Sequence, residues 1–578
     1  MSASHPPAAS QPPRRRWQAP SGDGSLLSQP PLADGVEVAA RNAASLRSID
    51  LDIQGHSWQT LRQLARDQAL TAAREYTQSL SPLAPAGGEG PGVRGERLST
   101  PNLLFVTGHQ PALFHPGVWV KNFAIGRLAS RASNAVSLNL LVDNDVMTSV
   151  STSVRVPVGS REAPRLEAIP FDDPRPAQPW EEAEILNRDL FRSFAERVSE
   201  SLRTWGIEPL VTELWPAAFQ HLERSPKIAD CLTAARNQLE QRWGVSNLEL
   251  PLSRLCELDA FRWFACHLLA HLPRFRDAYN SVVAAYRRAN HVRNASHPVP
   301  DLAERDGWLE APFWVWRKGD SHRSQVFTKQ FNRELHLSDG RDVFVRLPLS
   351  PDRDATDAVA ALQESSTRGI RFRTRALTTT LFTRLFLADL FVHGIGGAKY
   401  DEMTDRIIAE FYRVPVPEFL TLTATALLPV QPFPVTNGDR HRLQQRLREL
   451  RFHPEQFLSF AEQTEHVEIL GKKAGLAAYH AVARKFRQKL KASGNWINPR
   501  GKRGQRPGYI DVYLKIQEFN SELETLVADQ RDRAASELAD VSRQLAANRI
   551  LASREFSYCL FPADKLRRLT ETIQRGEP

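Results

Sequence analysis

The strongest local pattern of the chain is an apolar run at 103–106 that breaks at a polar turn, 107–117, and resumes at 118–125. A short apolar run bounded by turn residues is typical of a buried strand, and the segment after the turn is expected to begin a helix. The first N–H groups of a helix have no partner within it, so a turn of this kind suits a phosphate or carboxylate.

A second apolar run, 135–142, predicts the next strand, which ends in Asp143, Asn144 and Asp145. Strand, helix and strand in succession indicate a βαβ unit with a parallel sheet. Ligands of such sheets bind beyond the carboxyl ends of the strands. We therefore expect the turn at 107–117 and the acidic cluster at the same edge of one sheet.

The same order of elements recurs later in the chain. Residues 376–389 predict a helix, 390–393 a short strand and 398–412 another helix, with the turn Gly394-Ile395-Gly396-Gly397 before the last. Glycine tolerates positive φ, which such a tight turn is expected to require. The sequence thus predicts an α/β fold that presents the anion-binding geometry twice.

This α/β core is predicted to span 45–430. Aromatic and aliphatic residues at three- and four-residue spacing indicate a helical insertion at about 180–298. Strand-like alternation on both sides of Lys318-Gly319-Asp320 predicts a hairpin at about 310–330.

The C-terminal part of the chain has a different pattern. At 431–550 apolar residues follow heptad spacing with charges between them, which predicts an antiparallel coiled-coil arm that pairs 442–490 with 513–548. Residues 551–578 are expected to return to the core.

Composition indicates the surroundings in which this fold is expected. Residues 1–44 are rich in Pro, Ala and Ser and are predicted to be a disordered tail. No apolar stretch has the length of a membrane span, and the four cysteines form no CxxC pair, so we expect a cytoplasmic protein without a membrane partner. The net charge of +9 is spread along the chain, which favours small acidic ligands over nucleic acid.

Side chains that bind anions are concentrated at the two turns. Imidazole and amide groups donate hydrogen bonds to phosphate, and lysine supplies a point charge. The candidates at the first turn are Gly108, His109, Gln110, His115, Gly117 and Lys121, and those at the second are Gly394, Gly396, Gly397 and Tyr400, with Thr374 and Arg375 upstream. Asp143 and Asp145 can bind an amine, a ribose hydroxyl or magnesium.

Each feature also has an interpretation without a ligand. The glycine turn matches only part of GxGxxG, and no GxxxxGK[ST] motif occurs, so it can be a simple tight turn. His109 and His115 can brace their loop, and Asp143 and Asp145 can belong to a solvated turn. The two histidines lack a third ligand at suitable spacing, so we predict no metal site.

At three motifs the chain resembles the cysteine-adding enzymes of bacillithiol biosynthesis. That family carries Gly-Gln-Gln, Gly-Leu-Leu, Gly-Pro and a lysine, then Glu-Asp-His-Asp, then Thr-Arg-Pro-Leu and Gly-Pro-Gly-Glu with a tyrosine. The comparable residues here are Gly108-His109-Gln110, Leu113-Phe114, Pro116-Gly117 and Lys121, then Asp143-Asn144-Asp145, then Thr374-Arg375-Ala376-Leu377, Gly394-Ile395-Gly396-Gly397 and Tyr400. The motifs keep their order and spacing, and the resemblance covers most of the chain from about Ser45.

The resemblance implies a Rossmann-like core, a coiled-coil arm that can form a homodimer, and a site for ATP or ADP, with or without bound Mg. It implies an ATP-dependent ligase that joins cysteine to the amine of a small acidic amino-sugar conjugate. Asp143, Asp145 and Lys121 would then be catalytic, and Thr374, Arg375 and Asn144 would bind substrate. Three departures, His109, Asn144 and Gly397, imply a different substrate or lost catalysis if the family's side chains position the amine or the metal.

Two other functions remain open from the sequence. A noncatalytic scaffold would keep the core and use the arm to bind a partner. A nucleic-acid binder is suggested by the basic segment at 502–506, although the dispersed charge makes this partner less expected.

Overall fold

The computed structural model describes residues 17–81, 102–492 and 507–575; the basic segments at 14–16 and 502–506 lie outside these ranges. Two compact units are present. One comprises Met1–Val158, Leu166–Val430 and Ser553–Pro578, and the other Gly159–Arg165 and Gln431–Ala552.

The strands of the described residues are β1 (Leu26–Gln29), β2 (Asp52–Ile53), β3 (His56–Ser57), β4 (Leu103–His109), β5 (Ala135–Leu141), β6 (Val146–Met147), β7 (Ser153–Gly159), β8 (Pro164–Pro170), β9 (Gln178–Pro179), β10 (Leu248–Pro251), β11 (Glu304–Arg305), β12 (Trp308–Arg317), β13 (Ser324–Phe331), β14 (Glu334–Ser338), β15 (Val343–Leu347), β16 (Ile370–Thr374), β17 (Leu390–His393) and β18 (Phe419–Ala424).

The α-helices of the described residues are α1 (Gly35–Arg47), α2 (Trp58–Leu80), α3 (Pro116–Arg131), α4 (Arg188–Arg192), α5 (Phe194–Leu202), α6 (Val211–His221), α7 (Ile228–Arg242), α8 (Leu252–Leu255), α9 (Asp259–Ala270), α10 (Leu272–Ala289), α11 (Thr356–Thr367), α12 (Ala376–Phe382), α13 (Ile395–Ile407), α14 (Asn437–Phe452), α15 (Phe460–Glu465), α16 (Val467–Ala492), α17 (Pro507–Leu526), α18 (Ala528–Leu551) and α19 (Ala563–Arg575).

A six-stranded sheet forms the centre of the first unit, with the strand order β1-β18-β17-β4-β5-β10. The five strands from β18 to β10 are parallel, and β1 is antiparallel to β18. The fold is therefore mixed α/β with a largely parallel sheet. The strands predicted at 103–106, 135–142 and 390–393 all belong to this sheet, and the last has the predicted bounds.

Asp389 connects the amino ends of two central strands to α2. Its carboxylate accepts hydrogen bonds from Arg62 at 2.6 Å, from Arg66 at 2.8 Å and from the backbone N–H of Leu104 at 2.7 Å. All three side chains are buried, and a buried carboxylate is tolerated only when it is paired in this way. The pairing fixes β17 beside β4.

A second sheet lies within the same unit. It has the order β11-β12-β13-β14-β15, with β16 paired to the other side of β12. The predicted hairpin is confirmed, because β12 and β13 are antiparallel and Val315 is paired with Ser324 around the predicted turn. β16 runs antiparallel to β12 at the edge of this sheet. It ends at Thr374, and Arg375 follows directly.

The prediction of a disordered tail over 1–44 is wrong for residues 17–44. β1 extends the central sheet, and α1 buries Val38, Ala39 and Ala43. Asn42 donates hydrogen bonds of 2.8 Å to the backbone oxygens of Asp389 and Glu418. These contacts are made with residues more than 300 positions away, so the average composition of the segment did not reveal them.

The helical insertion expected at 180–298 also contains a strand. β10 pairs in parallel with β5 at the edge of the central sheet. Its second residue, Glu249, is fully buried and pairs with Arg236 of α7 at 2.8 Å. A four-residue strand with a buried charge has neither the apolar run nor the alternation that identifies a strand from sequence.

The second unit is helical. α14 packs against α18, α16 packs against α17, and a small core is formed by Leu450, Leu458, Leu523, Val527 and Ala534. The apolar spacing changes phase where the structure separates α17 from α18, at Val527. Among the described residues, no helix has the length and apolar composition required to cross a bilayer.

Candidate functional site at the switch point of the central sheet

The carboxyl ends of β4 and β17 lie side by side. Leu390 is paired with Phe105 and Val392 with Thr107 in a parallel register. From β4 the chain passes through α3 to β5 on one side, whereas from β17 it passes through α13 to β18 on the other. Connections that leave in opposite directions create a crevice between two strands, and this is where ligands bind in open α/β sheets. The two predicted turns therefore meet at one edge.

The first turn of α13 is open at this edge. Gly394 is the N-cap residue, and no side chain caps the helix. The first hydrogen bond of the helix runs from the N–H of Ala398 to the oxygen of Gly394, at 3.0 Å. The N–H groups of Ile395, Gly396 and Gly397 therefore have no acceptor within the helix. A Cβ added at Gly396 would meet nothing within 4 Å. The arrangement suits an anion.

The prediction that the glycines of this turn adopt positive φ is wrong. Gly394 has a φ of −79°, and neither Gly396 nor Gly397 has a positive φ. They form the helix start itself. At Gly397 an added Cβ would lie 2.7 Å from Nδ1 of His393, so close packing explains the absence of a side chain there.

A buried charge network fixes α13 to β17. His393, the last residue of β17, contacts the carboxylate of Asp401, which also pairs with Arg384 at 3.1 Å. Arg384 pairs with Asp405 at 2.6 Å as well. Two positive partners hold the pKa of Asp401 at about 2 despite the large opposing effect of burial, which also lowers the pKa of His393. Sequence reasoning missed this network, because nothing in the spacing connects 384 with 401.

The first turn of α3, by contrast, is closed. Pro116 has no N–H group, and Nδ1 of His115 accepts the N–H of Gly117 at 3.1 Å. A Cβ added at Gly117 would lie 2.8 Å from Oγ1 of Thr423 and 2.7 Å from the Arg554 guanidinium. The expectation that this turn binds phosphate with free N–H groups is therefore wrong, and close packing with β18 and the C-terminal segment is the physical reason.

Lys121 and His109 face the interior. The Lys121 ammonium donates to the Gly108 oxygen at 2.8 Å, and burial lowers its pKa to about 7. His109 contacts Asn122 at 3.2 Å and the Gln110 oxygen at 3.0 Å, and burial lowers its pKa well below the usual value. The two side chains brace the turn, which is the alternative interpretation given above for His109.

The acidic cluster after β5 consists of two buried side chains and one that is partly exposed. Asp143 accepts from the backbone N–H and the hydroxyl of Ser253, at 2.9 and 2.5 Å, and burial raises its pKa to about 7. Asn144 donates to the Thr374 oxygen at 2.9 Å. Only Asp145 remains open, with a side chain that is 41% exposed. Of the three residues expected to be catalytic, Asp143 and Lys121 are thus engaged within the protein, and the carboxylate of Asp145 is partly exposed.

An amide and an arginine contact Asp145, and an aromatic ring and a second arginine lie next to that arginine. Its carboxylate accepts from Gln110 at 2.5 Å and from Arg323 at 3.4 Å. Arg323 and Arg375 lie 4.8 and 4.2 Å from the ring of Trp314, and Arg375 pairs with Glu310 at 2.7 Å. The turn at 107–117, the acidic cluster at 143–145 and Arg375 therefore come together as predicted.

Thr374 and Tyr400 contribute less directly. Thr374 is buried, and its hydroxyl accepts from Thr379 at 2.7 Å, so it connects elements rather than facing a ligand. Tyr400 is half-buried against the apolar core. Arg323 was not among the predicted site residues, because it belongs to no local motif.

No cluster of three or more His, Cys, Asp or Glu side chains suited to a metal ion occurs among residues 17–81, 102–492 and 507–575. No protein-family model matches the chain, and the search of curated proteins gave no match.

Proposed function

We propose that the protein is an ATP-dependent ligase of the bacillithiol-forming, cysteine-adding type. It would join an amino acid, cysteine in the family, to the amine of a small acidic amino-sugar conjugate. The main support is the open first turn of α13 at the switch point, where the N–H groups of Ile395, Gly396 and Gly397 can bind the phosphates of ATP, with or without Mg.

The chemistry requires such a site. A carboxylate is a poor electrophile, so one of its oxygens first attacks a phosphorus of ATP and releases ADP or pyrophosphate. The amine of the second substrate then attacks the activated acyl carbon and releases phosphate or AMP. Negative charge develops on the phosphoryl oxygens in the first step, and fixed N–H donors stabilise it there.

Asp145 is the residue best placed to hold the attacking amine and to accept its proton. Arg323 and Arg375 lie beside it and are the proposed partners for the carboxylates of an acidic acceptor. Lys121 would then act as a positioning residue, since it holds the turn through the Gly108 oxygen.

The finer features of the fold belong to the same proposal. The central sheet would be a Rossmann-like core, and the helices of the second unit would form an antiparallel coiled-coil arm that mediates a homodimer of a cytoplasmic protein. Residues 442–490 and 513–548 are the segments proposed to pair.

A noncatalytic nucleotide-binding scaffold is a second candidate, and two observations favour it. Asp143 and Lys121, two residues that the resemblance makes catalytic, are both engaged within the protein. In addition, the His393 ring leaves no room for a side chain at the position of the family's glutamate, Gly397.

The test is incubation of the full chain with ATP, magnesium, cysteine and glucosaminyl malate, followed by mass spectrometry of the products. A ligase forms the cysteinyl conjugate in proportion to the ATP consumed. Asp145→Asn should lower turnover by about 100-fold, whereas Asp277→Asn, a change at an exposed position of α10, should not. ATP binding without product would favour the scaffold, and absence of ATP binding would refute both candidates.

A further inference from the structure

A cavity of about 480 Å³ lies at the other end of α13. α13 continues as a π-helical turn, Ile408–Tyr412, and its last two residues, Phe411 and Tyr412, line the cavity. With about 1.5 Å of rise per residue, the cavity is roughly 25 Å from the first turn of α13. It is therefore separate from the crevice at the switch point, and its volume is typical of a small-molecule site.

The charged lining of the cavity is mainly cationic. Arg274 and Arg413 line it together with one carboxylate, Asp50. Neither guanidinium has an ion pair with any residue in the described ranges, and Arg274 lies 4.5 Å from the ring of Phe411. An arginine on an aromatic ring keeps its N–H donors available at the edge of the stack.

The backbone at Arg413 is unusual. This residue ends the π-helical turn with a φ of 58°, and its N–H donates to the Ile408 oxygen at 3.1 Å. Glycine is favoured at such a left-handed helix end, because a side chain there is strained. Outliers of this type are concentrated at ligand sites, and π-helical turns often are as well.

Two buried polar groups in the wall lack a partner. Nδ1 of His267 and the hydroxyl of Tyr412 have no hydrogen bond to any described residue, and each residue is only 5% exposed. The two rings stack, with centroids 5.8 Å apart. Burial lowers the pKa of His267 to about 3, so the imidazole is neutral. Both polar atoms are sealed from solvent, so the rings rather than these atoms face the cavity.

From these contacts we infer that the cavity is a second binding site, for a small organic anion with an apolar body. A carboxylate or phosphate group would bind Arg274 and Arg413, and the body would pack against Phe411 and Leu51. The rings of His267 and Tyr412 complete the wall of the cavity.

Benzoate and phenyl phosphate are suitable probes, because they share a ring and differ in the anionic group. Benzamide is the uncharged control, and inorganic phosphate is the control without an apolar body. Saturation-transfer NMR on the full chain should show saturable binding of at least one probe anion with a Kd on the order of 1 mM or tighter. The control compounds should bind at least about tenfold more weakly.

Single substitutions test whether the probe anions bind in this cavity. Arg274→Ala and Arg413→Gly should each weaken it at least about fivefold, and the glycine variant should fold well because it removes the strained side chain. Arg305→Ala is the matched control, since Arg305 also stacks on a ring, that of Phe327, but does not line this cavity.

The inference is overturned if neither anion binds saturably, if benzamide binds as well as benzoate, or if both arginine variants bind like the wild type. Binding that disappears in Gly396→Glu would place the probe in the crevice instead. The cavity variants should retain the wild-type response to ATP, so the outcome is independent of the proposed function.

Discussion

Gly396→Glu is predicted to stabilise the protein and to weaken its binding of ATP. Position 396 is exposed in the first turn of α13, and a side chain there would enter open space. Replacing a helical glycine stabilises by up to about 1 kcal/mol, and a carboxylate near a helix N-terminus adds about 0.3 to 1 kcal/mol. The melting temperature should therefore rise slightly, by up to about 2 °C.

The same carboxylate would repel a bound phosphate. At a separation of about 5 Å, two unit charges repel by about 0.8 kcal/mol in water and about 3 kcal/mol at an effective dielectric constant of 20. The Kd for ATP should accordingly rise by about 4- to 150-fold. Isothermal titration calorimetry measures this rise directly.

Gly396→Ala is the matched control, because it adds the Cβ without the charge. It should be as stable as the wild type or slightly more so, with unchanged ATP affinity. If Gly396→Glu bound ATP like Gly396→Ala, the first turn of α13 would not be the phosphate site. A loss of stability in both variants would instead mean that the turn is packed against something.

Three further changes test the buried groups. Because the pKa of Lys121 is lowered to about 7, the unfolded chain binds more protons than the folded protein between pH 7 and about 10. This residue therefore makes the free energy of unfolding rise with pH in that range. Lys121→Met should reduce this rise, as measured by urea unfolding at a series of pH values. The raised pKa of Asp143 has the opposite effect, because the folded protein binds more protons between pH 4 and about 7. Asp143→Asn should remove the resulting fall in stability, and a variant with the wild-type pH profile would contradict the raised pKa of this buried carboxyl group. Gly117→Ala should destabilise by about 1 to 3 kcal/mol, since its Cβ would press on β18, and an unaltered unfolding midpoint would contradict the closure of that turn.

Local patterns predicted the elements around the crevice well. The strands at 103–106 and 390–393 are apolar runs ended by glycine, and in a buried parallel sheet this is the pattern that packing on both faces produces. The edge shared by the two turns followed from strand order, since the carboxyl ends of parallel strands point the same way.

The contacts of individual side chains were harder to predict. Lys121 was expected to face a ligand, but its position on α3 directs it to the Gly108 oxygen. The closure of the α3 start depends on Arg554, more than 400 residues later in the chain. Contacts between residues so distant in sequence leave no local signal, and the same is true of β1, whose partner is β18.

The charge network under α13 shows the same limit. His393 and Asp401 are eight residues apart, yet their contact depends on the angle at which the helix leaves the strand. Sequence spacing does not determine that angle. The glycine at 397 was visible in the sequence, but its reason, the nearby His393 ring, was not.

The most direct test of the account is a crystal structure of the full chain with ATP bound. We predict a phosphate within hydrogen-bonding distance of the N–H groups of Ile395, Gly396 and Gly397, beside the carboxyl end of β4. A nucleotide bound elsewhere, with the first turn of α13 in contact only with solvent, would contradict the central claim.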